Sequence, residues 1–250
     1  MPESSSAMVP LHVIFFFCIG DVLSALPEGW SACKQSAPDY EDCLKKQVNN
    51  ALRFFKDGNK KMGIIPLDPL HLQTMDIEQG SGPVSITLKM KNVDLVGLSA
   101  ASEVTSIKND WKKMMMKLYI PHIHLLGDYT IDGKVLILPI SGSGKVNMDF
   151  DKVEYTFDMT FKQVTKNGKK YYQVDKMPVT VLPKKVTYNF ENLFKGNKEL
   201  GDNMNKFLNE NWAEIMDAVK PALSKTLEAV YREYINRILS KLSAEEIDIK

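Results

Sequence analysis

From Met204 to Leu242 apolar residues recur every three or four positions: Met204, Phe207/Leu208, Trp212, Ile215/Met216, Val219, Leu223, Leu227, Val230/Tyr231, Tyr234/Ile235, Ile238/Leu239 and Leu242. That is the 3.6-residue period of an amphipathic helix, sustained far longer than a typical globular helix. At 1.5 Å per residue the run would span roughly 60 Å. A compact globule of a chain this size would be only about 35 Å across, so the stripe dictates an elongated architecture. Between the apolar positions, Glu228 with Arg232 and Glu233 with Arg237 stand at i and i+4 and mark a solvated face. Pro221 lacks the backbone donor and should clash with the carbonyl of Asp217, which predicts a kink or a break there.

A helix with one apolar stripe needs a partner, and the preceding residues supply strands. Val153 to Lys162 alternates apolar and polar strictly, the pattern of an antiparallel strand with one wet and one buried face. Ile86/Leu88/Met90, Met116/Leu118/Ile120 and Val186/Tyr188/Phe190 repeat it. The phase slips twice, from Met90 to Val93 and from Phe150 to Val153. Each slip would turn the apolar face outward unless a β-bulge corrects it, and bulges bend strands. Turns are expected at Gly80-Ser81-Gly82-Pro83, Asp132-Gly133, Ser141-Gly142-Ser143-Gly144 and Asn167-Gly168. A further helix is expected from Asp39 to about Lys56, followed by the proline-interrupted turn Gly63 to Leu70. The fold class is therefore α+β, with a highly curved antiparallel sheet wrapped around the long C-terminal helix.

Residues 1–25 read as a secretory signal peptide: a short apolar run from Val9 to Gly20, then Leu23-Ser24-Ala25 as a cleavage site. The run is too short for a membrane span. The remainder, 26–250, is read as a single domain, and the protein as secreted and extracellular. Loss of the leader removes Glu3 and Asp21 but no Lys or Arg, so the net charge rises from +1 to +3. Nothing concentrates the basic residues, and no nucleic-acid partner is expected. Cys33 and Cys43 remain as a close pair suited to one disulfide in an oxidising compartment, the alternative being two free thiols.

No enzyme site emerges. His122 and His124 share one face of a strand, as in some zinc sites, but no third ligand is evident beyond a weak candidate in Asp128, so neither a metal nor a cofactor is expected. Ser141-Gly142-Ser143-Gly144 has the residue types of a nucleophile elbow without the strand-to-helix context, leaving a lipid-ester hydrolase as the weakest alternative. The residues assigned to the inner face are soft and bulky: Met116, Leu118, Tyr155, Phe157, Met159, Phe161, Tyr188 and Phe190 from strands, Trp212 and Met216 from the helix. Such a surface can fill a core or line a cavity for a flexible apolar ligand.

Four motifs in order extend the reading: the Cys33/Cys43 pair, Gly63-Ile64-Ile65-Pro66-Leu67-Asp68-Pro69-Leu70, the segment Gly127 to Gly144, and Leu193-Phe194-Lys195-Gly196-Asn197-Lys198-Glu199-Leu200-Gly201 running to Trp212. Together they resemble the insect takeout and haemolymph juvenile hormone binding protein family over nearly all of residues 26–250. The resemblance implies an elongated apolar tunnel between sheet and helix and a non-catalytic carrier of a hydrophobic small molecule, juvenile hormone or another lipid. It also implies ties to feeding, circadian output or chemosensory behaviour, and an unidentified receptor as a protein partner. The hormone-binding branch carries a second disulfide. This chain has no cysteine after Cys43 and is more similar to the takeout branch. An extracellular signalling module whose tunnel is filled or incidental is the other reading.

Overall fold

The computed structural model describes residues 26–27 and 29–249, so the leader reading of residues 1–25 lies outside the described residues. In chain order the elements are β1 (Cys33–Lys34), α1 (Tyr40–Phe54), β2 (Leu70–Gln79), β3 (Val84–Val96), β4 (Glu103–Asn109), β5 (Lys113–Val135), β6 (Leu138–Lys166), β7 (Lys169–Lys176), β8 (Val179–Leu182), β9 (Lys185–Phe190), α2 (Lys198–Glu210), α3 (Trp212–Leu239), α4 (Ala244–Ile247) and β10 (Asp248–Ile249). Eight strands form one antiparallel sheet in the order β2-β3-β5-β6-β7, with β4 beside β5 and with β8 and β9 beside β6. The short β1 and β10 pair in parallel at the opposite chain ends.

The long helix lies across the concave face of this sheet and touches β2 and β3 on one side and β7, β8 and β9 on the other. It buries Ile215, Met216, Val219, Leu223, Leu227 and Tyr234. Of the kink or break expected at Pro221, the break does not occur: α3 runs through it, and the helix parts at Asn211, whose φ of -109° and ψ of 19° separate α2 from α3. The outward charges pair as expected, Arg237 with Glu233 at 2.8 Å and Arg232 with Glu228 at 3.9 Å.

The two phase slips have different structural origins. Between Lys91 and Asp94 the β3–β5 register shifts, with Asn92 at φ 49°, so one strand carries an extra residue as a bulge does. At Lys152, φ 50°, the β5–β6 pairing keeps one register on both sides, Ile120 with Val153 and His122 with Asp151. The expected one-sided bulge is absent there, because β5 slips at the same level: Ile120 and Ile123 both point inward, with Pro121 between them. Proline has no N–H to donate, and the irregularity is shared by both strands. It continues into the neighbouring break between β8 and β9.

Two expected turns are also relocated. Asp132-Gly133 lies inside β5, and Ser141 to Gly144 lies inside β6. These glycines serve close approach: a Cβ on Gly133 would sit 2.2 Å from the Ser85 carbonyl oxygen, and one on Gly142 would sit 2.9 Å from Leu193 Cα. The actual hairpin joins β5 to β6 through Leu136 and Ile137, with Leu136 at φ 53°. Gly80 to Pro83 and Asn167-Gly168 do turn the chain as expected.

Candidate functional site

Three apolar chambers lie along the helices. The first, about 70 Å³, is walled by β2, β3, β5 and β6 and by Tyr188 and Phe190 of β9, against Leu208 of α2 and Ile215, Met216, Val219 and Leu223 of α3. The second, about 150 Å³, lies between Met116, Leu118 and Ile120 of β5, Tyr155 and Phe157 of β6, and Tyr231 and Tyr234 of α3. The third, about 210 Å³, is bounded by Met116, Met159, Phe161, Trp111 and the C-terminal turns of α3. Val48, Ala51, Met116, Ile235 and Ile238 line both of these last two, which are therefore neighbours across a common wall.

The first chamber has no wall residue in common with the second. Along α3 its lining ends at Leu223, and that of the second begins at Tyr231. Leu227 between them is buried and lines none of the three. On the strands, Ile123 and Val153 occupy the same intermediate positions, both buried. These three buried side chains lie between the first and second chambers, at the level where β5 and β6 slip together.

Of the residues assigned from sequence to the inner face, Met116, Leu118, Tyr155, Phe157, Met159, Phe161, Tyr188, Phe190 and Met216 all line one of the chambers. Trp212 does not. It is the first residue of α3, directly after the break at Asn211, and packs half-buried against the core. Sequence reasoning passed over the wall supplied by α1, namely Val48, Ala51 and Leu52. Their helical spacing was visible, but a stripe facing a chamber has the same period as one facing a solid core.

Cys33 and Cys43 form a disulfide with a Cα–Cα distance of 5.8 Å. It fastens the start of α1 beside the third chamber, which Cys33 and Leu44 help to line. The chamber walls carry few polar groups. The Tyr231 hydroxyl donates to that of Tyr155 at 3.4 Å inside the second chamber. Desolvation pushes Tyr231 up to about 12, against a smaller opposing effect of the Tyr155 hydroxyl. Burial raises Tyr155 well above its ordinary value, with Tyr231 adding to the effect. Both therefore stay neutral hydrogen-bonding groups at any physiological pH. Ser141 and Ser143 are exposed residues within strand β6, not on a strand-to-helix turn as a nucleophile elbow requires.

Comparison with known proteins agrees with this architecture. The crystal structure of Takeout 1 from Epiphyas postvittana superposes with a TM-score of 0.75 at 25% identity, covering 87% of this chain and 99% of that one. The circadian clock-controlled protein daywake of Drosophila melanogaster is 27% identical over 238 residues, 92% of this chain and 90% of the relative. Its Drosophila yakuba counterpart is 26% identical over 235 residues, 90% and 89% respectively. Among the described residues no helix is long and apolar enough to cross a membrane. The sequence model of haemolymph juvenile hormone binding protein matches residues 12–247, and the chain belongs to that family.

Proposed function

We propose that the protein is a secreted carrier of an elongated, mostly apolar small molecule, a juvenile hormone-like terpenoid or another lipid, held in the chambers beside α3. The observation that carries this reading is the pair of adjoining chambers of about 150 and 210 Å³ with apolar walls. A single water needs only about 15 Å³ but also needs polar partners, which these walls scarcely provide. An apolar ligand regains the dispersion contacts that such walls otherwise lack, and its burial contributes roughly 25 cal/mol per Å² before ordering costs. The Tyr155 and Tyr231 hydroxyls favour a ligand with one hydrogen-bonding group on a long apolar body. Family membership supports a binding rather than a catalytic role.

The test is native mass spectrometry of protein secreted from eukaryotic cells, followed by lipid extraction and titration with a fluorescent fatty acid. A copurifying hydrophobic molecule or saturable probe uptake is expected. Met116→Trp, placed in the wall common to two chambers, should weaken uptake by about tenfold or more, since an indole takes up the space a ligand needs. Neither bound lipid nor uptake by the unmodified protein would remove the carrier reading.

A further inference from the structure

We propose that the convex face of the sheet carries a divalent transition-metal site of the zinc class, formed by His122, His124 and Asp149 and supported by Asp151. The sequence showed two histidines on one face and only Asp128 as a weak third candidate, which in the structure pairs with Lys145 and Asn92 instead. Strand pairing supplies the third ligand: His124 stands opposite Asp149 and His122 opposite Asp151 across the β5–β6 ladder. Residues two apart on a strand point the same way, so all four side chains emerge together. The two rings lie 6.4 Å apart at 20° between planes, and the three candidate ligand atoms lie within 4.8 Å of one another.

The hydrogen-bond pattern singles out the site. His122 Nδ1 lies 2.8 Å from Asp151 Oδ1, while its Nε2 lies 3.0 Å from Asp149 Oδ1. His124 Nδ1 reaches that same Asp149 oxygen at 2.7 Å. In the tautomer in which His122 donates its Nδ1–H to Asp151, its Nε2 lone pair faces the Asp149 carboxylate, and the two acceptors need a cation, a proton or a metal ion, between them. A proton on His122 Nε2 would join that ring to Asp149, with His124 donating its own Nδ1–H to the same oxygen. A metal ion serves both rings and the carboxylate at once, and the Asp151–His122 contact is the carboxylate-to-imidazole support that metal-bound histidines have. The two nitrogen-to-Asp149 distances, 3.0 and 2.7 Å, need to open only slightly, because a tetrahedral ion with bonds of about 2.0–2.1 Å sets its ligands roughly 3.3 Å apart. Two imidazoles and one carboxylate favour zinc, copper or nickel over magnesium or calcium. Side-chain exposures of 52% for His122, 29% for His124 and 34% for Asp149 leave an entry path.

Bound there, the ion would clip β5 to β6 beside Pro121 and Lys152, where the two strands slip together. Isothermal titration of tag-free protein with zinc chloride should give one ion per chain at micromolar affinity. His122→Gln and His124→Gln should each weaken it by at least about tenfold, since loss of even a ligand's hydrogen-bond partner has that effect. His71→Gln, a histidine paired with Asp94 alone, should leave binding unchanged. Zinc at a hundredfold excess over its dissociation constant should raise the Tm by about 5 °C or more in the unmodified protein and not in His124→Gln. Circular dichroism would establish that the variants fold. Absence of saturable zinc binding, or binding that survives both substitutions, would show that the cluster is a proton-bridged ion-pair network and overturn the proposal.

Discussion

Asn205, Asn209 and Asn236 each turn a carboxamide toward the backbone of one strand residue, donating to its carbonyl and accepting from its N–H. Asn205 does so to Phe190 at 2.9 Å in both directions, Asn209 to Tyr188 at 2.8 and 2.7 Å, and Asn236 to Val174 at 3.2 and 2.7 Å. Helices α2 and α3 thereby satisfy strand edges that would otherwise be open to another chain. Replacing Asn209 by Ala strips Tyr188 of both partners and should cost about 1–3 kcal/mol, measured as a lower midpoint in urea. Tyrosines give a second expectation. Desolvation, with Glu191 adding to it, pushes the buried Tyr129 up to about 12, and desolvation first and the Asp248 hydrogen bond second do the same for Tyr172. An unfolded tyrosine ionises near 10, so above that pH the unfolded chain binds fewer protons than the folded one. The stability these groups contribute is intact below about 10 and falls as the pH rises toward about 12. Denaturant midpoints measured through that range should fall, and Tyr129→Phe should flatten the decline. At this scale legibility was uneven. Strict alternation made Tyr155, Phe157 and Met159 recognisable as inward-facing, whereas nothing local marked Asn209 or Asp149, whose partners lie in other elements.

Among elements, α1 depends on a tether. Its N-terminus lacks a side-chain cap bond, and the Cys33–Cys43 bridge, 10 residues apart in sequence, holds it against the chambers. Converting both cysteines to Ser should cost at most about 3 kcal/mol on the chain-entropy account. Because Val48 and Ala51 line the second and third chambers and not the first, probe affinity should fall along with the melting temperature. Unchanged affinity in the folded double variant would show that α1 is not a working wall. Helix and strand identities were readable from period alone, but their punctuation was less so. Asn167-Gly168 turns the chain because both residues take positive φ, 50° and 77°, as a tight hairpin needs. Asp132-Gly133 carries the same signal and does not turn, since its glycine is required by the Ser85 backbone pressed against it. Pro221 likewise signals a break that tertiary packing overrides, whereas Asn211, with no comparable signal, is where the helix parts.

For the molecule as a whole, the curved sheet and its helical axis were legible from the sequence, while the partition of the interior was not. The first and second chambers part near where Pro121, Lys152 and the β8–β9 break meet, a coincidence of four strands that a linear reading cannot assemble. Leu227→Ala, between these two chambers, should destabilise by about 2–5 kcal/mol and let longer probes bind, read from the chain-length dependence of fatty-acid uptake. The pairing of β5 with β6 has a kinetic consequence. These are the longest strands, 23 and 29 residues, and they are joined by only Leu136 and Ile137. Their ladder can close outward from a local contact, with little loop entropy to overcome at the start. Inserting one glycine between Leu136 and Ile137 displaces the register at its origin, and stopped-flow refolding should slow more than unfolding accelerates. The hairpin tip, whose Leu136 and Ile137 line no chamber, would then set the pace at which the whole container assembles.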